Sequence, residues 1–209
     1  MSSSVSRKMF NADGCSRCPV GDVNLFESEP YITKQTGVWP ETNPFFIDSI
    51  YHLINRNTKL SEDVLFVDFS RDNIAYFINE DWMAGLKKTR MRIVLVIDRF
   101  MKPIAQYWYV RYPDIALLPV ESEGITTFLH NLERVLNGEN IVLNGVTSVT
   151  ENEIFVLRKQ IAGESARTIA FILNCSLKNV YNYHYSLCKK LGDLPNLKKL
   201  FINHFHHYS

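Results

Sequence analysis

The sequence predicts an α/β domain built on a parallel sheet, followed by an all-α domain of four helices at 149–209. Short apolar runs alternate with amphipathic stretches as far as residue 141. This alternation is typical of parallel βαβ units, whose strands are covered on both faces. Beyond residue 148 the periodicity is helical only, with Ser and Thr at the predicted helix starts. The 209 residues are enough for two such domains.

The α/β domain is predicted over 43–141, after a loosely ordered N-terminal arm at 1–42 and before a linker at 142–148. The arm is inferred from clusters of Ser, Gly, Pro and Asn without periodicity. A helix opens the domain, because apolar residues recur at helical spacing between 45 and 54. Three strand–helix pairs follow, with strands at 64–67, 93–97 and 115–118 and helices at 73–88, 103–110 and 125–137.

The helices of the all-α domain are recognised first by their caps. Thr150 and Glu153 form a capping-box sequence, in which the hydroxyl and the carboxylate each accept a hydrogen bond from a backbone N–H. Ser165 is predicted to cap the second helix and Ser176 the third. A weaker fourth helix is predicted at about 197–205.

The third helix, at 176–191, has an apolar stripe on one face and a polar face opposite it. Val180, Leu187 and Leu191 define the stripe. The polar face carries amines, phenols and an amide but no acidic side chain: Lys178, Tyr181, Asn182, Tyr185 and Lys189. A short helix, a tight turn and a longer helix with this outward face predict a helix-turn-helix, whose second member enters the major groove of DNA.

The predicted DNA contacts fall into two groups, because phosphate contacts position a protein and base contacts specify a sequence. The residues expected to hold phosphates are Arg167, Lys178, Asn179 and Lys189. The residues expected to read bases are Tyr181, Asn182 and Tyr185. Thr168 joins Arg167 near the start of the second helix, where backbone N–H groups also favour phosphate.

The C-terminal segment resembles the DNA-binding domain of LuxR-type regulators. The family pattern begins T-x-x-E-x-x-V/I-L and G-x-S/T-x-x-x-I-A, and continues through S-x-K-T-V-x-x-H to K-L-G. This chain supplies Thr150, Glu153, Val156, Leu157, Gly163, Ser165, Ile169, Ala170, Ser176, Lys178, Val180, Lys190, Leu191 and Gly192. It departs from the pattern at Thr168, Asn179 and Tyr183. The resemblance implies a four-helix unit that often dimerises through its last helix.

The α/β domain resembles the phosphorylation receivers that many such regulators carry. The strand 64–68 is similar to the third receiver strand and places Asp68 at the acceptor position. Receivers also need an acidic pair for Mg²⁺, a hydroxyl after the fourth strand and a Lys after the fifth. No convincing acidic pair precedes the domain, and the later strands end at Asp98 and Val120. We therefore predict a degenerate receiver. The stretch 103–109 is similar to enterobacterial fimbrial regulators of the EcpR (MatA) kind.

We expect a soluble protein of the cytoplasm that is associated with the nucleoid. The net charge is +1, yet from Asn144 onward eight Lys or Arg face four Asp or Glu. No apolar run is long enough for a membrane span and no signal peptide is recognised. Cys15 and Cys18 have C-x-x-C spacing, but a structural zinc site needs a second pair of ligands, so we expect reduced thiols. Catalytic residues, cofactors and metals are not expected.

These features favour a sequence-specific transcription regulator that binds double-stranded DNA as a homodimer, without phosphorylation. One alternative is a response regulator activated by phosphorylation of Asp68. Another is an adaptor that reaches DNA only as a heterodimer with a different regulator.

Overall fold

The computed structural model describes residues 35–57, 62–120 and 124–192, which form two compact units. The first, here called the sheet unit, comprises the described residues up to Asp68 together with Glu80–Ile97 and Tyr112–Val142. The second, the helical unit, comprises Phe69–Asn79, Asp98–Arg111 and the described residues from Leu143 onward.

Four strands form one sheet in the order β1-β2-β3-β4. Their bounds are Thr36–Trp39 for β1, Val64–Phe69 for β2, Arg92–Ile97 for β3 and Ala116–Pro119 for β4. β1 pairs in parallel with β2, and β3 pairs in parallel with β4. The predicted α/β fold is therefore confirmed, and β2, β3 and β4 correspond to the three predicted strands.

Seven α-helices and one 3₁₀ helix accompany the strands in the described residues. The α-helices are α1 (Pro44–Asn57), α2 (Asp81–Lys87), α3 (Lys102–Arg111), α4 (Ile125–Leu136), α5 (Glu151–Ile161), α6 (Ala166–Ile172) and α7 (Leu177–Lys190), and the 3₁₀ helix is Arg71–Tyr76. None of these helices combines the length and the apolar character that crossing a membrane requires.

The core of the sheet unit lies between one face of the sheet and two helices. Alternate strand residues such as Val64, Phe66 and Val94 pack in one cluster with Ile50 of α1 and Val135 of α4. The residues between them along the strands are buried as well. Burial on both faces explains why these strands are nearly continuous apolar runs.

The strand β1 is a correction to the predicted arm at 1–42, which was expected to lack regular structure. All four residues of Thr36–Trp39 are buried. Their sequence has no alternation to identify them, and the strand is defined by its pairing, in which Thr36 is opposite Val64 and Trp39 is opposite Val67. The part of the arm before residue 35 lies outside the described residues.

The helix predicted at 73–88 is also wrong as a single element, because it is divided into the 3₁₀ helix and α2. The Phe77 carbonyl accepts a hydrogen bond from the Trp108 indole at 2.9 Å. The Phe77 N–H donates to Ile74 in a tight turn, and the Phe69 and Phe77 rings lie 4.0 Å apart. The helical path breaks at Phe77, where the tertiary contacts are those with Trp108 and Phe69.

The helical unit combines the C-terminal helices with α3. The Val149 N–H donates to the Pro103 carbonyl at 3.2 Å. Glu151, the first residue of α5, accepts hydrogen bonds from Tyr107 and Arg111 of α3. The first C-terminal helix is thus held at its N-terminus by a helix from the middle of the chain. The predicted fourth helix at 197–205 lies outside the described residues.

Candidate nucleic-acid interface

The helix α5 begins where the capping box predicts. The Glu153 N–H donates to the Thr150 hydroxyl at 3.3 Å, and the Thr150 N–H donates to the Glu153 carboxylate at 2.6 Å. Ile154 and Leu157 are buried on the inner face of the helix. The chain leaves α5 through Gly163, whose φ of +81° is favourable for glycine.

The helices α6 and α7 form the predicted helix-turn-helix. Ser165 accepts a hydrogen bond from the Thr168 N–H at 3.1 Å, and Ser176 accepts one from the Asn179 N–H at 3.2 Å. Between the helices, Asn174 has a φ of +48°, a left-handed conformation that Asn tolerates better than most residues. Both predicted caps are confirmed.

The inner side of α7 is fixed by apolar contacts with α5 and α6. Val180, Leu187 and Leu191 are buried, as the periodicity predicts, and Cys188 packs beside them. Because this stripe fixes the rotation of α7 about its own axis, it also determines which residues face outward.

All eight residues predicted to contact DNA are exposed: Arg167, Thr168, Lys178, Asn179, Tyr181, Asn182, Tyr185 and Lys189. Two tyrosine side chains are unusually open for aromatic residues, since Tyr181 is 59% and Tyr185 61% exposed. The Lys189 amine lies 5.1 Å from the centre of the Tyr185 ring. The Thr168 hydroxyl lies 2.8 Å from the Ser165 hydroxyl and therefore takes part in the cap of α6.

A buried ion pair joins the end of α7 to the start of α5. The Lys190 amine donates to both Glu153 oxygens, at 2.7 and 3.0 Å, and to the Ser148 carbonyl at 2.9 Å. Only 4% of the Glu153 side chain and 15% of the Lys190 side chain are exposed. Both residues belong to the LuxR-type pattern, but the sequence spacing did not reveal that they are partners.

The environment of Glu153 favours its charged form. Burial on its own would raise the pKa of this carboxyl. Hydrogen bonds from Lys190, Ser186 and the Thr150 backbone, with the charge of Lys190, outweigh burial and hold the pKa below its ordinary value. The ion pair thus stays charged under ordinary conditions.

Two half-buried residues of α7 face α5 rather than solvent. The Tyr183 hydroxyl accepts a hydrogen bond from the Asn152 amide at 3.1 Å. His184 Nδ1 lies 3.1 Å from Gln160 Oε1, and burial lowers the pKa of this imidazole. Both side chains therefore help to hold α7 in place.

The receiver-like features of the chain lie at the ends of β2 and β3. Asp68 is 4% exposed, and its carboxylate accepts a hydrogen bond from the Asn43 amide at 3.3 Å. Asp98 accepts backbone N–H groups from Phe100 at 2.8 Å, Met101 at 2.9 Å and Arg71 at 2.6 Å. In receivers a hydroxyl follows the fourth strand, which β3 resembles. Here β3 is followed by the Asp98 carboxylate, which links two loops.

The cysteines divide into two groups. Cys188 is buried and Cys175 is half-buried, as expected for small apolar side chains. The C-x-x-C pair at Cys15 and Cys18 lies outside the described residues.

Two protein families match successive parts of the chain. Residues 11–136 match the family described as the EcpR N-terminal domain. Residues 147–200 match the family described as bacterial regulatory proteins of the luxR family. The second match contains the whole of α5, α6 and α7.

Individual proteins are also similar to this chain. The "Uncharacterized protein YqeH" of Escherichia coli (strain K12) is 29% identical over 168 residues, which cover 79% of each chain. The solved "Structure of two RcsB dimers bound to two parallel DNAs" is 16% identical with a TM-score of 0.42, and covers 85% of this chain and 100% of that chain. A Salmonella typhimurium RcsB response regulator is 18% identical with a TM-score of 0.35, over 83% and 99%.

Proposed function

Since the chain belongs to the family of the EcpR N-terminal domain and carries a luxR-family regulatory domain, we propose that it regulates transcription by binding DNA with α7 in the major groove. The luxR-family match supports a DNA-binding regulator. We propose further that α7 is the recognition helix, that the protein binds as a homodimer, and that phosphorylation does not control it.

The outward face of α7 is the observation that carries the proposal. Its amines can bind phosphates, while an amide and two phenols can reach base edges. Lys178, Tyr181, Asn182, Tyr185 and Lys189 are all exposed on this face. No acidic side chain occurs between Ser176 and Lys190 to repel the duplex. A rigid helix with a neutral-to-basic polar face suits the major groove.

Selection from a library of random duplexes, at two salt concentrations, tests the proposal directly. Recovery of a sequence motif supports specific binding by the full chain. Binding that depends on salt but selects no motif would contradict a self-sufficient regulator, and would favour the adaptor that needs a different partner chain.

Substitutions on α7 are expected to distinguish residues that contact phosphates from residues that contact bases. Asn182→Ala should relax the preference at one base pair and cost about 1–3 kcal/mol there. Lys178→Ala should weaken binding to all sequences alike and reduce its salt dependence. Quantitative binding to the selected duplex and to its point variants measures both effects. If neither substitution changes binding, α7 is not the recognition helix.

We also propose that the regulator binds as a homodimer and works in the cytoplasm, on the nucleoid. One helix-turn-helix reads a few base pairs, and two copies read a two-fold symmetric site with half-sites about one helical turn apart. A motif with two-fold symmetry is therefore the expected result of the selection. A single half-site would contradict the homodimer.

Control without phosphorylation is the third part of the proposal. The Asp68 carboxylate is buried and engaged by Asn43, which restricts its access to a phosphodonor. The Asp98 carboxylate is occupied by three backbone N–H groups. Asp98 therefore cannot act like the hydroxyl through which a receiver senses the phosphoryl group.

Incubation with acetyl phosphate and Mg²⁺ is expected to leave the intact mass of the protein unchanged. Asp68→Asn keeps an acceptor for the Asn43 amide, and is therefore expected to bind the selected duplex as the wild type does. A phosphoryl adduct that is absent from Asp68→Asn and strengthens DNA binding would establish the response regulator instead.

A further inference from the structure

A basic cleft of about 560 Å³ lies within the helical unit, beside the last turns of α7. Its walls include Arg99 and Lys102 from the segment that follows β3, and Tyr185, Lys189 and Lys190 from α7. The cleft thus brings together cationic side chains that are far apart in the sequence.

The electrostatic balance of the cleft is positive. Four of its lining side chains are Lys or Arg, and none of the residues that line it is acidic. The charge of Lys190 is compensated by Glu153. Arg99, Lys102 and Lys189 complete the cationic lining, in which Arg99 and Lys189 are exposed and Lys102 is half-buried. Such a concentration of positive charge suits an anion of the phosphate class.

The cleft is continuous with the candidate DNA-binding face. Tyr185 and Lys189 belong to both, because they line the cleft and are exposed on the outward face of α7. When a helix lies in the major groove, the nearest anions beyond its ends are the phosphates that border the groove. The occupant favoured by this placement is therefore the DNA that α7 binds.

We propose that the cleft holds a backbone phosphate of that duplex, with Arg99 and Lys102 supplying positive charge. The inference rests on the proposed function of α7 and extends it. Both residues lie in the segment that matches the EcpR N-terminal domain and precede the luxR-family segment. The DNA-binding surface thus includes residues from outside the helix-turn-helix domain.

The salt dependence of DNA binding by the full chain tests this inference. Arg99→Ala and Lys102→Ala are compared with the wild type on the selected duplex and on a random-sequence duplex, between about 50 and 200 mM salt. The double variant is expected to lower the slope of log K against log salt by about 0.9, which corresponds to one phosphate contact, and to weaken binding about five- to tenfold at about 0.1 M salt. Each single variant should show part of this loss. Both duplexes should be affected equally, because phosphates carry no sequence information.

Two variants serve as controls. Lys88→Ala removes the same charge from an exposed position that does not line the cleft, and should keep the wild-type slope. Arg99→Lys keeps the charge, and should restore most of the slope that Arg99→Ala loses. Thermal melting of each variant verifies that the fold is intact.

The outcomes distinguish this inference from the function on which it rests. If the wild type selects a motif and Asn182→Ala relaxes it, while Arg99→Ala and Lys102→Ala keep the full slope, the cleft proposal alone is wrong. If those variants keep the slope but lose thermal stabilisation by inorganic phosphate at matched ionic strength, the cleft binds a free anion instead. If the wild type selects no motif and Asn182→Ala has no effect, the function of α7 is wrong.

Discussion

Lys190→Met is expected to lower the free energy of unfolding by about 3–5 kcal/mol, because it leaves a buried carboxylate without its partner. The Glu153 side chain is 4% exposed, and the Lys190 amine lies within 3.0 Å of both its oxygens. The substitution also removes the hydrogen bond to the Ser148 carbonyl. Chemical denaturation of the full chain measures the change.

The neighbouring lysine provides a matched control. Lys189 is exposed and its amine lies over the exposed Tyr185 ring, so Lys189→Met should change stability by less than about 1 kcal/mol. The double substitution Glu153→Gln with Lys190→Met should recover part of the loss, since no buried charge then remains. A loss below about 1 kcal/mol for Lys190→Met would show that the pair behaves like an exposed one.

The effect of Lys190→Met should depend on pH, with a definite sign. The pKa of Glu153 is lowered in the folded chain relative to its ordinary value of 4.5. The wild-type ion pair therefore stabilises the fold above about pH 4.5, and this contribution is lost as the pH falls below that value toward the folded-state pKa. The stability difference between wild type and Lys190→Met should accordingly shrink in acid. A difference that stays constant down to pH 3 would contradict the ionic origin of the effect.

Asp98→Ala is expected to cost about 3–5 kcal/mol of stability. It removes the acceptor of three backbone N–H groups, and a hydrogen bond to a charged acceptor contributes about 1.5–3 kcal/mol. Because Asp98 is half-buried, water replaces part of this loss. Asp98 accepts the backbone N–H groups of Arg71, Phe100 and Met101. Hydrogen exchange at these three amides should accelerate in the variant, which locates the effect. Chemical denaturation gives its magnitude.

A second aspartate shows what an exposed carboxylate contributes by comparison. Asp114 pairs with Lys87 at 3.0 Å, but its side chain is 64% exposed. Asp114→Ala should therefore cost less than about 1 kcal/mol. Equal losses for Asp98→Ala and Asp114→Ala would mean that the loop link at Asp98 is not a strong one.

Patterns that depend on neighbours in the sequence predicted the structure well. The strands β2, β3 and β4 were recognised because strands covered on both faces are apolar runs. The starts of α5, α6 and α7 were recognised because a cap acts within a single turn. The helical period alone is enough to predict which residues lie on the outward face of α7.

Features that depend on distant contacts were not predictable. β1 has four residues and no alternation, so only its pairing with β2 identifies it. The break in the helix predicted at 73–88 depends on the Trp108 indole, which follows Phe77 by 31 residues. The cleft is not visible in the sequence for the same reason, since Arg99 and Lys189 line it together only in the folded chain.

The way in which α3 holds α5 limits how this protein can be divided. The helical unit is assembled from three separated stretches of chain. A fragment that begins at Val149 would lack the Pro103 carbonyl and the two side chains, Tyr107 and Arg111, that bind Glu151. Fusing such a fragment to a foreign sensor domain would transfer the DNA-binding helices without the α3 contacts that hold α5. Exchange of the entire chain between related regulators should therefore preserve function more readily than exchange of the C-terminal third alone.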